Sequence, residues 1–406
     1  MVGRWVVILA GFLLNLMLGI VYAWSVFVKP LTQVFGWSVT VASLPYSIFL
    51  LVFAFLMPLA GKAQDRAGPR KVAMLGGALL GVGFLLSGFI EVIRSPYWLV
   101  LTYGVIAGAG CGLGYACPIP VARKWFPERP GLATGLVVMG FGLSALLFAP
   151  IERMLIKAYG VGSTFHILGA VLLIVAVLAA SMLRNPPEGY VSRSPEQKVT
   201  VAKSTEAKPE GIARRDLTSS EMVRDVRFYI LWLSFFFMAL AGLMVIGHIA
   251  PYAQEQGIDP LAAAFAVSAL SALNALGRPG AGAISDRIGR AKTMFMLFLV
   301  QAITLIAFPH VAVSLATLYI CAAIIGFNFG ANFSLFPTAT GDLFGIKHLG
   351  ANYGLVFTSY GVGGLVGPIM AGYIFDVTGR YDLAFLAAGV LAFIAAFLSL
   401  TLRRRR

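Results

Sequence analysis

One arginine stands apart from the other basic residues of this chain. Arg278 lies in Asn274-Ala-Leu-Gly277-Arg278-Pro279, within an apolar stretch expected near residues 261 to 283, and no loop is close enough to take its charge. A charge at the middle of a bilayer costs at least about 2.5–3.5 kcal/mol, so such a residue should face the inside of a helix bundle and have a partner. All 17 aspartates and glutamates are expected in or beside polar loops, none at its depth. An anion from outside the chain then completes the charge balance, because a guanidinium fork matches a carboxylate in bidentate geometry. Asn274, four residues earlier and on the same helical face, can orient the guanidinium or touch the anion. His248, in Gly247-His248-Ile-Ala-Pro251-Tyr252, is the titratable group placed to reach the same space, and histidine changes charge between about pH 5 and 8. The plainer alternatives are an arginine satisfied by backbone carbonyls and water, and a histidine hydrogen-bonded at a helix end.

Other side chains would shape the space around that cation. Tyr115, just before Pro118 and Pro120, can donate a hydroxyl hydrogen bond. Leu143 and Phe357 are candidates for an apolar wall that measures a short side chain, although most such residues are bundle core. One guanidinium neutralises one carboxylate, whereas a dianion leaves an uncompensated charge in a low-dielectric interior, so monocarboxylates are favoured.

The elements that must hold these residues are membrane-spanning helices. Hydrophobic residues make up 59% of the 406 and charged residues only 12%, clustered between apolar runs. Crossing about 30 Å of hydrocarbon takes about 20 helical residues, and twelve runs of that kind appear, the first near 6 to 28 and the last near 382 to 402. The first lacks a small-residue cleavage site and is expected to be retained. The formal charge of +14 raises nucleic acid as a partner. With both termini on one side, however, 25 of the 31 Lys and Arg fall on that side, five on the other and one, Arg278, within a span. That asymmetry is a topology signal, which makes the terminal side cytoplasmic and leaves nucleic acid unneeded. Cys111, Cys117 and Cys321 lie in apolar runs, with no disulfide or metal spacing.

The chain also repeats itself. A polar interruption at 184–226 divides residues 1–183 from 227–406 and reads as a linker. Gly61-x3-Asp65-Arg66-x-Gly68 returns as Gly282-x3-Asp286-Arg287-x-Gly289, and Gly131-x3-Gly135 returns as Gly350-x3-Gly354. Such offsets mark two related six-helix halves. Gly104, Gly108 and Gly112, and Ala322, Gly326, Gly330 and Ser334, form small-residue stripes at the spacing of helix contact faces. Gly108 to Gly114 completes no dinucleotide fingerprint, and there is no Walker A sequence. No nucleophile-base pair or metal cluster is visible within the spans, so neither an enzyme nor a cofactor is expected.

Gly61-Lys-Ala-Gln-Asp65-Arg66-Ala-Gly68-Pro69-Arg70-Lys71 and its second copy resemble the signature of the major facilitator superfamily. Gly114-Tyr115-Ala-Cys117-Pro118-Ile-Pro120-Val-Ala-Arg123-Lys124-Trp125-Phe126-Pro127, the Asn274 to Pro279 stretch, Gly3-Arg4-Trp5 and Tyr22-Ala-Trp24-Ser25 resemble its oxalate/formate antiporter and monocarboxylate porter group. The resemblance implies an all-α fold of twelve transmembrane helices in two pseudo-symmetric six-helix bundles. It also implies that Asp65, Arg66, Asp286 and Arg287 form a conformational latch. Two departures bear on mechanism. The antiporter group's lysine on the eleventh helix is replaced near Tyr360, which again favours a monocarboxylate. Asn274 stands where the animal porters have what resembles an Asp, a departure that tells against any coupling mechanism relying on an intramembrane carboxylate. The expectation is a monomeric carrier in a bacterial inner membrane, moving an L-lactate-like anion with a proton by alternating access. Oxalate/formate-type exchange and a transporter-like sensor are the rivals.

Overall fold

In a computed structural model, the described residues are 3–37, 39–187, 190, 216–246, 249, 252–253 and 256–402. His248, most of the 184–226 linker and the tail Arg403 to Arg406 lie outside them. Every regular element among the described residues is helical. We number the spans α1 (Arg4–Ala23), α2 (Val39–Ala67), α3 (Pro69–Ser87) and α4 (Pro96–Trp125). The 52-residue helix Pro130–Ser181 turns at Gly160 (φ 82°), a left-handed value open to glycine, and is therefore two segments, α5 before that residue and α6 after it. The second half contributes α7 (Val226–Ile246), α8 (Pro260–Ile288), α9 (Arg290–Val311), α10 (Leu315–Phe344), α11 (Leu349–Thr378) and α12 (Asp382–Leu400). Each expected apolar run falls on one of these helices.

Helices in lipid gain no hydrophobic energy by meeting one another, so small residues decide where backbones come close. The small-residue stripes act in this way. Gly104, Gly108 and Gly112 on α4 face Pro45, Ile48, Phe49 and Phe53 on α2. In the second half Gly326 and Gly330 on α10 face Leu270 and Asn274 on α8. The pairing of α1 with α5 and of α3 with α6 is likewise matched by α7 with α11 and α9 with α12. Two bundles of the same plan result, and they meet through α2 against α11 and α5 against α8.

The repeated motifs turn out to be the two halves' mutual contacts on the face that carries the loops richest in Lys and Arg. A Cβ added at Gly61 would stand 1.9 Å from the Gly350 carbonyl oxygen, and one at Gly282 would stand 2.1 Å from that of Gly131. Asp286 Oδ1 and Oδ2 accept from the backbone N–H groups of Gly131 and Leu132, each at 2.9 Å, and so cap α5 of the opposite half. Asp65 Oδ2 accepts from the Ala351 N–H at 3.2 Å and caps α11 in the same manner. A carboxylate at a helix N-terminus contributes about 0.3–1 kcal/mol, and up to about 2 when partly buried. The latch differs from expectation in its cations, since Arg66 and Arg287 are exposed. Arg290 instead binds Asp286 at 2.6 Å and Asp342 at 2.9 Å, while Arg123, only 4% exposed, pairs with Asp342 and donates to the Thr338 carbonyl at 2.7 Å. The physical reason is direction. Arg66 and Arg287 point off helix ends into solvent, whereas Arg123 and Arg290 lie where two halves close over them.

The close approach at Gly61 makes a prediction. Gly61→Val should hold the halves apart on this face while leaving helix content unchanged. Spin labels on Lys62→Cys and Lys347→Cys should report a longer distance in that variant by double electron–electron resonance, and an unchanged distance distribution would contradict the contact.

Candidate functional site

α8 carries Arg278 to the meeting place of the halves, where the side chain is 0% exposed. Its Nη1 donates to the Val138 carbonyl oxygen on α5 at 2.7 Å, so a cation of the second half is held by the backbone of the first. Its Nε and Nη2 donate to Asn274 Oδ1 at 3.3 and 3.2 Å, which is the orienting role expected for that asparagine. The guanidinium carbon lies 4.4 Å from the Phe333 ring centroid and 5.9 Å from that of Phe141. A desolvated cation over an aromatic face gains about 2 kcal/mol or more, so these rings offset part of its burial. Among the described residues no Asp or Glu forms an ion pair with Arg278. Three of its five N–H groups are committed to those two acceptors, leaving donors for a further ligand.

The reason that this arginine can sit so close to the other half is again small residues. A Cβ at Gly142 would lie 3.0 Å from Arg278 Nε, and one at Gly135 would lie 2.4 Å from the Arg278 carbonyl oxygen. Gly330 on α10 approaches the Asn274 carbonyl, where a Cβ would stand 1.9 Å away, and this fixes α8 in register with α10.

An aromatic cluster surrounds the cation. Phe357 is fully buried and touches Phe53 (centroids 5.2 Å apart), Tyr115 (5.6 Å) and Tyr360 (5.0 Å), so it joins α2, α4 and α11. Tyr115 is buried edge-on to Phe141, and its hydroxyl lies beside the buried hydroxyl of Tyr353. The Tyr360 hydroxyl shares a hydrogen bond of 2.9 Å with the Tyr22 hydroxyl across the two halves. Tyr22, Tyr115, Tyr353 and Tyr360 all lie within electrostatic reach of Arg278. Leu143 is half-buried, and on its stretch of α5 the glycine before it, Gly142, makes the approach to the guanidinium.

The structure brings Arg278, Asn274, Tyr115, Phe357 and Tyr360 to one place. Sequence reading overlooked Val138, Phe333, Phe141, Tyr22 and Tyr353. One signal was available for Tyr22, which stands in the motif on α1, but nothing in a run of apolar residues marks which phenylalanine will cover a cation. A second correction concerns acidic residues. Glu152, expected in or beside a loop, is 1% exposed on α5, because that helix continues past residue 151 to the Gly160 break.

The arrangement can hold a small anion at a lone cation between two helical halves. The profile of the Major Facilitator Superfamily matches residues 7–340 and 231–406. The chain belongs to that superfamily. It is 29% identical to the oxalate:formate antiporter of Oxalobacter formigenes over 394 residues, covering 97% of this chain and 90% of that protein. It is 27% identical to human monocarboxylate transporter 2 over 408 residues, covering 97% and 84%. Among solved structures it is similar to FucP, a superfamily transporter in the outward conformation, with a TM-score of 0.71 at 19% identity and 98% of each chain covered. The superfamily's members are membrane transporters, and the all-helical fold of this chain is theirs.

The Asn274 geometry gives a second prediction. An aspartate there would offer a carboxylate to the same two N–H groups, and hydrogen bonds to charged groups contribute about 1.5–3 kcal/mol. Asn274→Asp should weaken binding of a small carboxylate roughly ten- to hundredfold at neutral pH and recover affinity as the pH falls and the new carboxyl takes a proton. Calorimetric titration of acetate or lactate at two pH values checks both the size and the direction.

Proposed function

We propose that this chain is a secondary active carrier of small monocarboxylates, L-lactate among them, working by alternating access and driven by proton symport. The observation that carries the reading is the Arg278 guanidinium, wholly buried, oriented by Asn274 and lacking an acidic partner among the described residues. An always-charged group in that position is stabilised by a ligand of opposite charge, and one carboxylate balances it. The names of the relatives support the same substrate class, one being an oxalate:formate antiporter and another a monocarboxylate transporter. The single cation favours the monoanion.

Transport follows from the Val138 contact. In the arrangement closed on the basic face, the first half's backbone serves one Arg278 N–H. Opening that face parts α5 from α8 and removes the acceptor. A bound carboxylate replaces it, whereas an empty site leaves a donor of a buried cation unpaired, which costs about 1–3 kcal/mol or more. Loaded carriers therefore reorient more readily than empty ones. We place the basic face in the cytoplasm of a bacterial cell, with both termini there, on the charge asymmetry of the loops. The carrier needs no second chain for this cycle and acts as a monomer.

The test is uptake of labelled L-lactate by proteoliposomes. Arg278→Ala and Arg278→Lys should each reduce initial uptake at least about a hundredfold, Lys because an ammonium cannot span the Val138 carbonyl, Asn274 and a carboxylate together. Uptake near the unsubstituted level would refute the role. Accumulation should follow an acid-outside pH gradient; a carrier that ignored the gradient and required an internal anion would be an exchanger.

A further inference from the structure

Glu152 is a buried acid that the anion site leaves without a purpose. It sits on α5 eight residues before the Gly160 break, about 12 Å along the helix from the turn on the face opposite the termini. Its neighbours Arg153 and Lys157 turn outward and are exposed, while Glu152 is 1% exposed and its Oε2 has no hydrogen-bond partner. A buried carboxylate oxygen without a hydrogen bond is costly when ionised and far less so when the group carries a proton.

Tyr103 on α4 interacts electrostatically with Glu152 and is itself buried against Trp24 (ring centroids 4.3 Å apart), Phe49 and Phe84 (each 5.2 Å). Tyr103 belongs to a π-helical stretch, Val100–Ala107, a geometry that is rare and often marks functional positions. Glu91 accepts from the Gly162 N–H at 2.7 Å, and His166 on α6 packs against Gly88 and Phe89. Lys29, on the helix that continues α1, lies outside the described side chains.

We propose that Glu152 is a proton-binding site of this carrier, filled from the side opposite the termini, whose loading and release tie anion transport to the pH gradient. This rests on the reading of the chain as a monocarboxylate carrier. The proton binds by forming an O–H bond on the carboxylate, and it leaves to water when the packing of α1, α4 and α5 around it loosens during the cycle. Only a group whose protonation differs between the two arrangements can link them to pH. Glutamine repeats the protonated shape permanently, so a carrier bearing it can exchange substrate but cannot run on protons.

The experiment compares the unsubstituted carrier with Glu152→Gln and Glu152→Asp in proteoliposomes. Infrared spectra at neutral pH, which need no substrate, should show the C=O stretch of a protonated carboxylic acid that Glu152→Gln loses and Glu152→Asp shifts. A carboxylate paired with Lys29, or any other ionised state, gives no such band and overturns the proposal. With one pH unit across the membrane, a one-to-one symporter accumulates labelled L-lactate about tenfold. Glu152→Gln should fall to no accumulation while keeping counterflow within about twofold, and Glu152→Asp should restore part of the accumulation. Undiminished accumulation by Glu152→Gln overturns the proposal. Lactate transport that is sensitive to Arg278→Ala but indifferent to the pH gradient also overturns it, and leaves the carboxylate reading standing. If the unsubstituted carrier moves no monocarboxylate, it is the functional reading that fails, and the infrared band alone then decides whether Glu152 holds a proton.

Discussion

A permanent positive charge, wholly buried where two helical bundles meet, is the constraint that the rest of this structure answers. Arg278 cannot shed its proton, so its surroundings must supply electron density. They do so in three ways: a backbone carbonyl from Val138, an amide oxygen from Asn274 and the faces of Phe333 and Phe141. None of the three carries a full negative charge. The site thus keeps N–H donors for a further ligand and is incomplete in charge, which sets it apart from a structural ion pair. Had evolution placed an aspartate against this arginine, the pair would be self-sufficient and an incoming anion would have to displace it.

The glycine contacts explain how such a cation can be shared between the two halves. Backbone-to-backbone approach at Gly61 with Gly350, and at Gly131 with Gly282, carries little side-chain area, so closing and opening it costs little. Direction is supplied by charge instead. Asp65 and Asp286 reach across to the first turns of α11 and α5, and the Arg123, Asp342 and Arg290 cluster lies beside them. Such contacts are local and strong only at short range, which gives an interface two discrete states rather than a continuum. The internal repeat has the same cause, since two copies of one half present the same glycine and the same carboxylate to each other.

How much of this the sequence reveals depends on whether the physical cause is local. Membrane spans are local, because about 20 apolar residues in a row have no other solution, and the described residues of the expected runs are largely helical. Arg278 is nearly so, being a charge in the wrong solvent. The latch cations are not local. Arg66 and Arg287 lie beside the motif aspartates in the chain, yet Arg290 and Arg123 supply the charges, because the choice is made by which helix end faces the other half. Phe333 is hidden for a similar reason: in an apolar run every phenylalanine looks alike until α8 sets its cation beneath one of them. Glu152 was lost at a boundary, since a charge flanked by Arg153 and Lys157 reads as the start of a loop. Only the rotation of α5 shows that the glutamate turns inward while its basic neighbours turn out.

The two buried ionisable groups set apart in this way also differ in kind, and the difference matters. Arginine keeps its charge at every accessible pH, so Arg278 can select an anion but cannot report on protons. A carboxyl in an apolar cage responds to protons but, once neutral, has no hold on an anion. A carrier that joins an anion to a proton needs both properties, and a single residue cannot provide them. Among the described residues no ion pair joins Glu152 to Arg278. Were they in contact, the glutamate would ionise against the arginine, and each would cancel the function of the other.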